Sequence, residues 1–236
     1  MKKLLIPILA LCLLLLGASP VLGASASVVR HGPTNQKVIA LTFDDGYSVY
    51  NCQKIFNTLK ADHVVATFFP YSAAMSLHGN SHAFWRSVAQ AGYPIANHSW
   101  THPNMTRLSY AAQLAQIQTA AAQELAITGV PMLPVFRPPG GSYNANTLAA
   151  ASAAGFKTVL LWDTSDADTE IYNIPKEIAS AERGTSGSVV LMYCGPNSTP
   201  YVLPAVIAYY RAHGFTFVTV GQLFNIPWSG PPVSFK

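Results

Sequence analysis

The stretch Val38-Ile39-Ala40-Leu41-Thr42-Phe43-Asp44-Asp45-Gly46 sets the frame for the rest of the chain. An apolar run passes through Thr42 and Phe43 into two adjacent carboxylates and a glycine. Such a run, closed by a turn signal, predicts a buried strand. Its C-terminal tip lies where barrel-type α/β proteins place their chemistry. Because strand side chains alternate, Asp44 and Asp45 are expected to point different ways, one toward a metal and one free as a base. Like charges this close repel, and a cation or an arginine nearby relieves the repulsion. Taken alone, Asp-Gly after a strand is also an ordinary turn, so the weight rests on the remainder of the chain.

Beyond Gly46 the pattern alternates. Apolar periodicity, caps and glycine stops predict helices over 50–59, 81–91, 109–128, 146–154, 175–183 and 204–213. Between them, apolar and β-branched runs predict strands over 64–69, 93–97, 135–136, 158–162, 188–193 and 215–219, with a closing turn over 220–224. Strand–helix alternation argues for parallel α/β units, barrel-like or doubly wound, in a single domain. Residues 25–36 read as a polar lead-in, 37–225 as the domain and 226–236 as a tail.

The chain opens with Lys2-Lys3, an apolar stretch from Leu4 to Leu16 and then small residues. That order describes a signal peptide over 1–24, too short in its apolar part for a membrane span of roughly 20 residues. Export to the medium or the cell envelope is expected, with membrane attachment only if the leader stays uncleaved. Without Lys2 and Lys3 the charge falls to 12 basic against 10 acidic residues. So weak an excess, with no basic run, excludes nucleic acid as the expected partner. Only 10% of residues are charged, which suits an uncharged polymer, and no protein partner is indicated. Beyond the leader stand Cys52 and Cys194, which could pair in an oxidising compartment or remain two thiols; their spacing carries no metal signature.

Reading only the predicted strand tips collects Asp44 and Asp45, His98 and His102, Arg137, then Asp163, Asp166 and Asp168, and finally Tyr193. Two histidines four residues apart can share one face of a turn, and imidazole is the commonest ligand of divalent transition metals. With Asp45 they would make a His₂Asp set with a position left for water.

Thr42-Phe43-Asp44-Asp45-Gly46, His98-Ser99-Trp100-Thr101-His102 and Arg137-Pro138-Pro139-Gly140 resemble, in order, the first three motifs of the polysaccharide deacetylases, carbohydrate esterase family 4 with the NodB homology domain. The resemblance implies a distorted (β/α)₇ barrel and a hydrolase that removes acetyl groups from an N-acetylated glycan. It implies a divalent metal on Asp45, His98 and His102, usually zinc and sometimes cobalt, manganese or nickel. Asp44 would be the general base, and Arg137 would pair with it and keep it ionised. Trp162 with Asp163 and Asp166 loosely resembles the fourth motif, with Ser165 where the main acid is expected. The resemblance places the sugar against Trp100, Pro139, Gly140, Trp162 and Leu191.

Two positions depart from the family pattern. Gly140 stands where a tyrosine usually follows the prolines, removing an aromatic wall. Leu191-Met192-Tyr193 stands where the fifth motif has Leu-x-His, so Tyr193 replaces the histidine that protonates the leaving amine. A phenol titrating near ~10 transfers its proton to an amine of pKa roughly 8 uphill by ~3 kcal/mol. Loss of general acid catalysis is worth about 10²–10⁴-fold, which leaves a slow enzyme rather than none. His78 or His82 could replace it only if the fold brings one in.

Three functions are therefore expected to compete: a secreted metal-dependent deacetylase of peptidoglycan or a chitin-like glycan, a metal-bearing glycan-binding protein that has lost catalysis, and an O-acetyl esterase. The ester reading needs the acid least, because its leaving group is an alcohol.

Overall fold

The structure is a computed structural model that describes residues 25–77, 79, 81–167, 173–195 and 198–235. The leader, His78 and Asp168 lie outside the described residues.

The Val38–Asp45 stretch is strand β2, buried along almost its whole length. A strand covered on both faces needs an uninterrupted apolar run, and β2 has one. It pairs in parallel with β3 (Thr67–Pro70), with β8 (Val189–Tyr193) and, at its start, with β9 (Thr216–Phe217). On the other side of β8 lies β7 (Thr164–Ser165). A second parallel sheet has the order β1 (Ser27–Val29), β6 (Thr158–Leu160), β5 (Leu133–Phe136), β4 (Ala96–Asn97). The two sheets meet through a parallel bridge between Phe68 and Ile95. They meet again through the segment 158–165, whose first part pairs in one sheet as β6 and whose end pairs in the other as β7. The expected α/β barrel architecture is present, in a distorted form whose hydrogen-bonded ladder is interrupted.

Helices α1 (Val49–Ala61), α2 (Ser81–Gln90), α3 (Tyr110–Thr128), α4 (Ala145–Ala153), α5 (Ile174–Ala181) and α6 (Thr199–Ala212) alternate with the strands, followed by α7 (Val220–Phe224). Ser109 accepts from Ala112 N at the start of α3, and Gly129, at φ 74°, ends it. The stop needs a residue tolerant of the left-handed region, and glycine is one. Among the described residues no helix is long and apolar enough to cross a membrane.

Three expectations change. The lead-in is not all loop: Ser27–Val29 pairs with Thr158–Leu160, completing the edge of a sheet. The last long helix starts at Thr199 rather than at 204, with a proline in its first turn and Pro204 inside it. A first-turn proline forfeits no intrahelical bond, so the earlier proline marks the start. The turn over 220–224 is a short helix opened by a capping box between Thr219 and Gln222.

Cys52 and Cys194 form a disulfide with a Cα–Cα distance of 5.0 Å, tying α1 to the end of β8. The tail packs back on the domain: Trp228 Nε1 donates to Pro131 O at 2.8 Å and Ser234 N to Ala91 O at 2.8 Å.

Candidate metal centre and active site

The last two residues of β2 adopt different backbone conformations. Asp44 stays in the strand, in register with Phe69 and Tyr193, whereas Asp45 turns to φ 72°. This cancels the alternation expected of a strand. Asp44 Oδ2 and Asp45 Oδ1 both lie 3.7 Å from His98 Nε2. Ser99 and His102, at φ 69° and 58°, share the left-handed conformation. Such a conformation costs a non-glycine residue of order 1 kcal/mol, and here it recurs where side chains must converge.

The loop carrying the histidines is held from below. Asn97 Oδ1 accepts from Ser99 N at 2.9 Å, and its Nδ2 donates to Ile117 O at 2.9 Å. Gln116 Oε1 accepts from Trp100 N at 3.1 Å and Thr101 N at 2.9 Å, while its Nε2 donates to Thr101 Oγ1 at 3.0 Å. Arg137 N donates to Asn97 O at 2.8 Å, joining the tips of β4 and β5. Gln116 was not among the residues expected from the sequence, because a lone glutamine on a helix carries no motif.

Asp45 Oδ1 is 3.2 Å from His102 Nε2. Asp45, His98 and His102 each offer one donor atom, all within 4.8 Å of one another. His98 Nδ1 lies 2.7 Å from Arg137 O, an acceptor only, so the ring proton sits on Nδ1 and the Nε2 lone pair faces Asp45. Burial, the largest influence, lowers the His98 pKa, which favours the neutral imidazole a metal requires. Asp45 Oδ1 is buried with no hydrogen-bond partner among the described residues, as befits an atom reserved for a cation. This donor set fits a divalent metal. His98 is 2% exposed and His102 38%, so the site is sheltered on one side and open on the other.

Beneath the pair, Arg137 is fully buried; its Nη1 donates to Asp44 Oδ1 at 2.5 Å and to Thr42 Oγ1 at 3.0 Å. Its guanidinium carbon lies 4.2 Å from the Phe69 ring centre and 5.7 Å from that of Trp162. Burial pushes the Asp44 carboxyl above the ordinary aspartate value, and the positive charge of Arg137 opposes that rise without cancelling it. Arg137 thus limits the desolvation of Asp44 rather than driving its pKa below the usual range.

A cleft of about 360 Å³ opens over the cluster, lined by Asp45, Tyr47, Tyr71, Thr101 and His102. Tyr71 packs on His102 with ring centres 5.5 Å apart. Neither tyrosine was anticipated from the sequence, since each follows its strand as an ordinary loop residue.

The remaining candidates divide. Trp162 joins the cluster through Arg137, and Trp100, 40% exposed, sits on the histidine loop. Pro139 is buried, while Gly140 is exposed at φ 60° with open space where a Cβ would stand. Its left-handed backbone, rather than lack of room, makes glycine suited there. Leu191 is buried within β8 opposite Thr42. Tyr193 is half-buried at the tip of β8, beside Asp44 in the sheet. Asp166 is fully buried and accepts from Thr199 Oγ1 at 3.1 Å. Asp163 sits at the other end of β8: it contacts His31 Nδ1 and accepts from Ser188 Oγ and Val189 N, each at 2.9 Å. Four residues of strand separate that end from Tyr193, about 13 Å, so Asp163 is not brought to Asp44. His82 is engaged with Ser76 Oγ at 2.9 Å.

The family model described as polysaccharide deacetylase matches residues 31–159. A bifunctional xylanase/deacetylase of Pseudobutyrivibrio xylanivorans is 30% identical over 233 residues, which cover 95% of this chain and 38% of that protein. The chain thus spans well under half the length of that relative. A solved peptidoglycan N-acetylglucosamine deacetylase superposes with a TM-score of 0.79 at 25% identity, covering 86% of this chain and 95% of the other. A CE4-family pseudoenzyme from Bacillus anthracis superposes with a TM-score of 0.77 at 25% identity, covering 85% and 69%. A mutant of that pseudoenzyme is described as having restored enzymatic activity.

Proposed function

The chain belongs to the polysaccharide deacetylase family, and from that premise we propose that it hydrolyses the acetamide of N-acetylglucosamine residues in an extracellular glycan, peptidoglycan first. The observation that carries this reading is the arginine-backed Asp44 beside the Asp45–His98–His102 cluster. A structural ion pair has no need of three convergent metal donors beside it, one of which, His98 Nε2, lies 3.7 Å from Asp44 Oδ2. The solved peptidoglycan deacetylase of like fold supports peptidoglycan as the polymer.

Asp45, His98 and His102 would hold a divalent cation, zinc in the first instance, which would supply Lewis-acid polarisation and lower the pKa of water. Asp44 takes the proton of the attacking water. Its Oδ1 is engaged by Arg137, which leaves Oδ2 turned to the cluster. A raised pKa brings this base nearer the operating pH, where general bases work best. His98 stays neutral and fixed through its Nδ1 bond, and the open side at His102 and Tyr71 admits the acetamide. The departing nitrogen takes the proton that Asp44 drew from the water, with Tyr193 as hydrogen-bond donor in place of a histidine acid, and this is the slow step of the sequence. We further propose export through the leader; the Cys52–Cys194 disulfide supports an oxidising destination.

One observation favours a second reading, a glycan-binding protein without turnover. Tyr193, not histidine, stands next to Asp44 on the sheet, and a pseudoenzyme is among the similar folds. Acetate release from N-acetylglucosamine oligomers with added zinc or cobalt, beside Asp44→Asn and Tyr193→His, decides between them. Release that Asp44→Asn abolishes supports the deacetylase. Silence that Tyr193→His relieves supports the binding protein.

A further inference from the structure

Tyr50 and Tyr201 are the most exposed large hydrophobic side chains among the described residues, at 70% and 61%. They are the second residue of α1 and the third of α6. Strand β2 feeds α1 and strand β8 feeds α6, and the tips of those strands pair as Asp44 with Tyr193. The first turns of both helices therefore stand at the catalytic end of the sheet, on its rim. Two links tie α1 to the segment that leaves β8 toward α6: the Cys52–Cys194 disulfide and a bond from Asn51 Nδ2 to Gly195 O.

Between the rings lies Lys54, one turn after Tyr50. Its Nζ is 4.3 Å from the Tyr50 ring centre and 5.1 Å from that of Tyr201, and it donates to Tyr201 Oη at 3.3 Å. Two exposed rings thus stand side by side with the Lys54 ammonium between them and a hydroxyl on each. A pyranose presents the matching chemistry, an apolar C–H face rimmed by hydroxyls. A lysine at the centre suits a dry protein interface poorly, since interface cores are depleted of lysine. Rings that present an apolar body and a polar tip contribute binding area without a large ordering cost.

We propose that Tyr50, Lys54 and Tyr201 form an outlying glycan subsite, holding one sugar of an N-acetylated chain while another occupies the cleft beside Asp45 and His102. The assignment of a glycan rests on the deacetylase function proposed for the metal centre. The subsite makes the protein selective for oligomers over short fragments, because only a chain long enough to leave the cleft reaches the rim.

Calorimetric titration of the zinc-loaded Asp44→Asn protein with the hexamer and the dimer of N-acetylglucosamine tests this. Adding Tyr50→Ala with Tyr201→Ala is expected to weaken hexamer binding about tenfold and dimer binding less than about twofold. Tyr50→Phe with Tyr201→Phe keeps the ring faces and is expected to keep most of the hexamer affinity. Hexamer affinity that ignores both rings overturns the subsite, as does an equal loss for the dimer or no hexamer binding at all. Acetate release by the protein with Asp44 intact is measured alongside. A protein that releases none, yet binds hexamer through both rings, keeps the subsite and overturns the deacetylase.

Discussion

His98 donates its Nδ1 proton to the main-chain oxygen of Arg137 at 2.7 Å, so one residue orients a proposed metal ligand with its backbone and braces the proposed base with its side chain. The two roles separate by mutation. Arg137→Met keeps the carbonyl that orients His98 but leaves Asp44 buried without its counter-charge. Zinc affinity is expected to stay within about threefold, while acetate release falls about 10²-fold or more. Since Arg137 opposes the upward shift of Asp44, its loss raises that pKa further, and the acid limb of the pH–rate profile moves to higher pH. Paired zinc titrations and pH–rate profiles check this.

Gln116 touches no proposed metal ligand directly, yet it pins the segment between His98 and His102 through three hydrogen bonds, two of them from that segment's main chain. Gln116→Ala is expected to weaken zinc binding by about 10–100-fold, in line with other outer-layer partners of metal ligands. Competition with a chromogenic chelator reads the change. Affinity equal to the native protein's would show that the loop holds its shape without the glutamine.

Glu124, on α3, is buried and carries only the Thr128 hydroxyl at 3.0 Å on Oε1, with Oε2 unpartnered among the described residues. Burial pushes its pKa up to about 8 from 4.5. The folded protein then retains a proton that the unfolded chain releases. Stability is full below about pH 4.5 and falls as pH rises toward 8, by an amount on the order of several kcal/mol. Glu124→Gln, neutral throughout, is expected to flatten that decline and to raise the melting temperature at pH 9. Thermal denaturation across pH 4–9 measures both.

The disulfide closes a separation of 142 residues. Replacing Cys52 and Cys194 by alanine is expected to cost about 2–5 kcal/mol, chiefly by freeing the unfolded chain. Urea unfolding of the two forms gives the difference. The double replacement is also expected to loosen the α1–α6 rim and so to weaken binding of long oligomers more than short ones.

Much of the site was legible because its chemistry is written in local order. Asp44 and Asp45 end an apolar run, His98 and His102 follow the next strand tip but one, and Arg137 follows a fourth. Asp163 shows the limit of that reading. It follows a predicted strand, as a catalytic acid would, but strand 158–162 ends at Leu160 and the chain crosses to a second sheet before pairing with β8. The crossing carries Asp163 to His31 and Ser188 instead. No periodicity encodes which sheet a short segment joins, because the choice is made by partners distant in sequence.

The sequence by itself determined the parallel α/β alternation and which residues stand at the strand tips as candidate base, candidate metal donors and bracing arginine, since residue type and strand-tip position are local properties. Tertiary structure alone decided that both carboxylates face His98, because that depends on a left-handed turn at Asp45. It also decided that Cys52 meets Cys194 and that Tyr47 and Tyr71 wall the cleft. Convergence of this kind is a property of packed backbones, whose hydrogen bonds and contacts join residues that the chain itself keeps far apart.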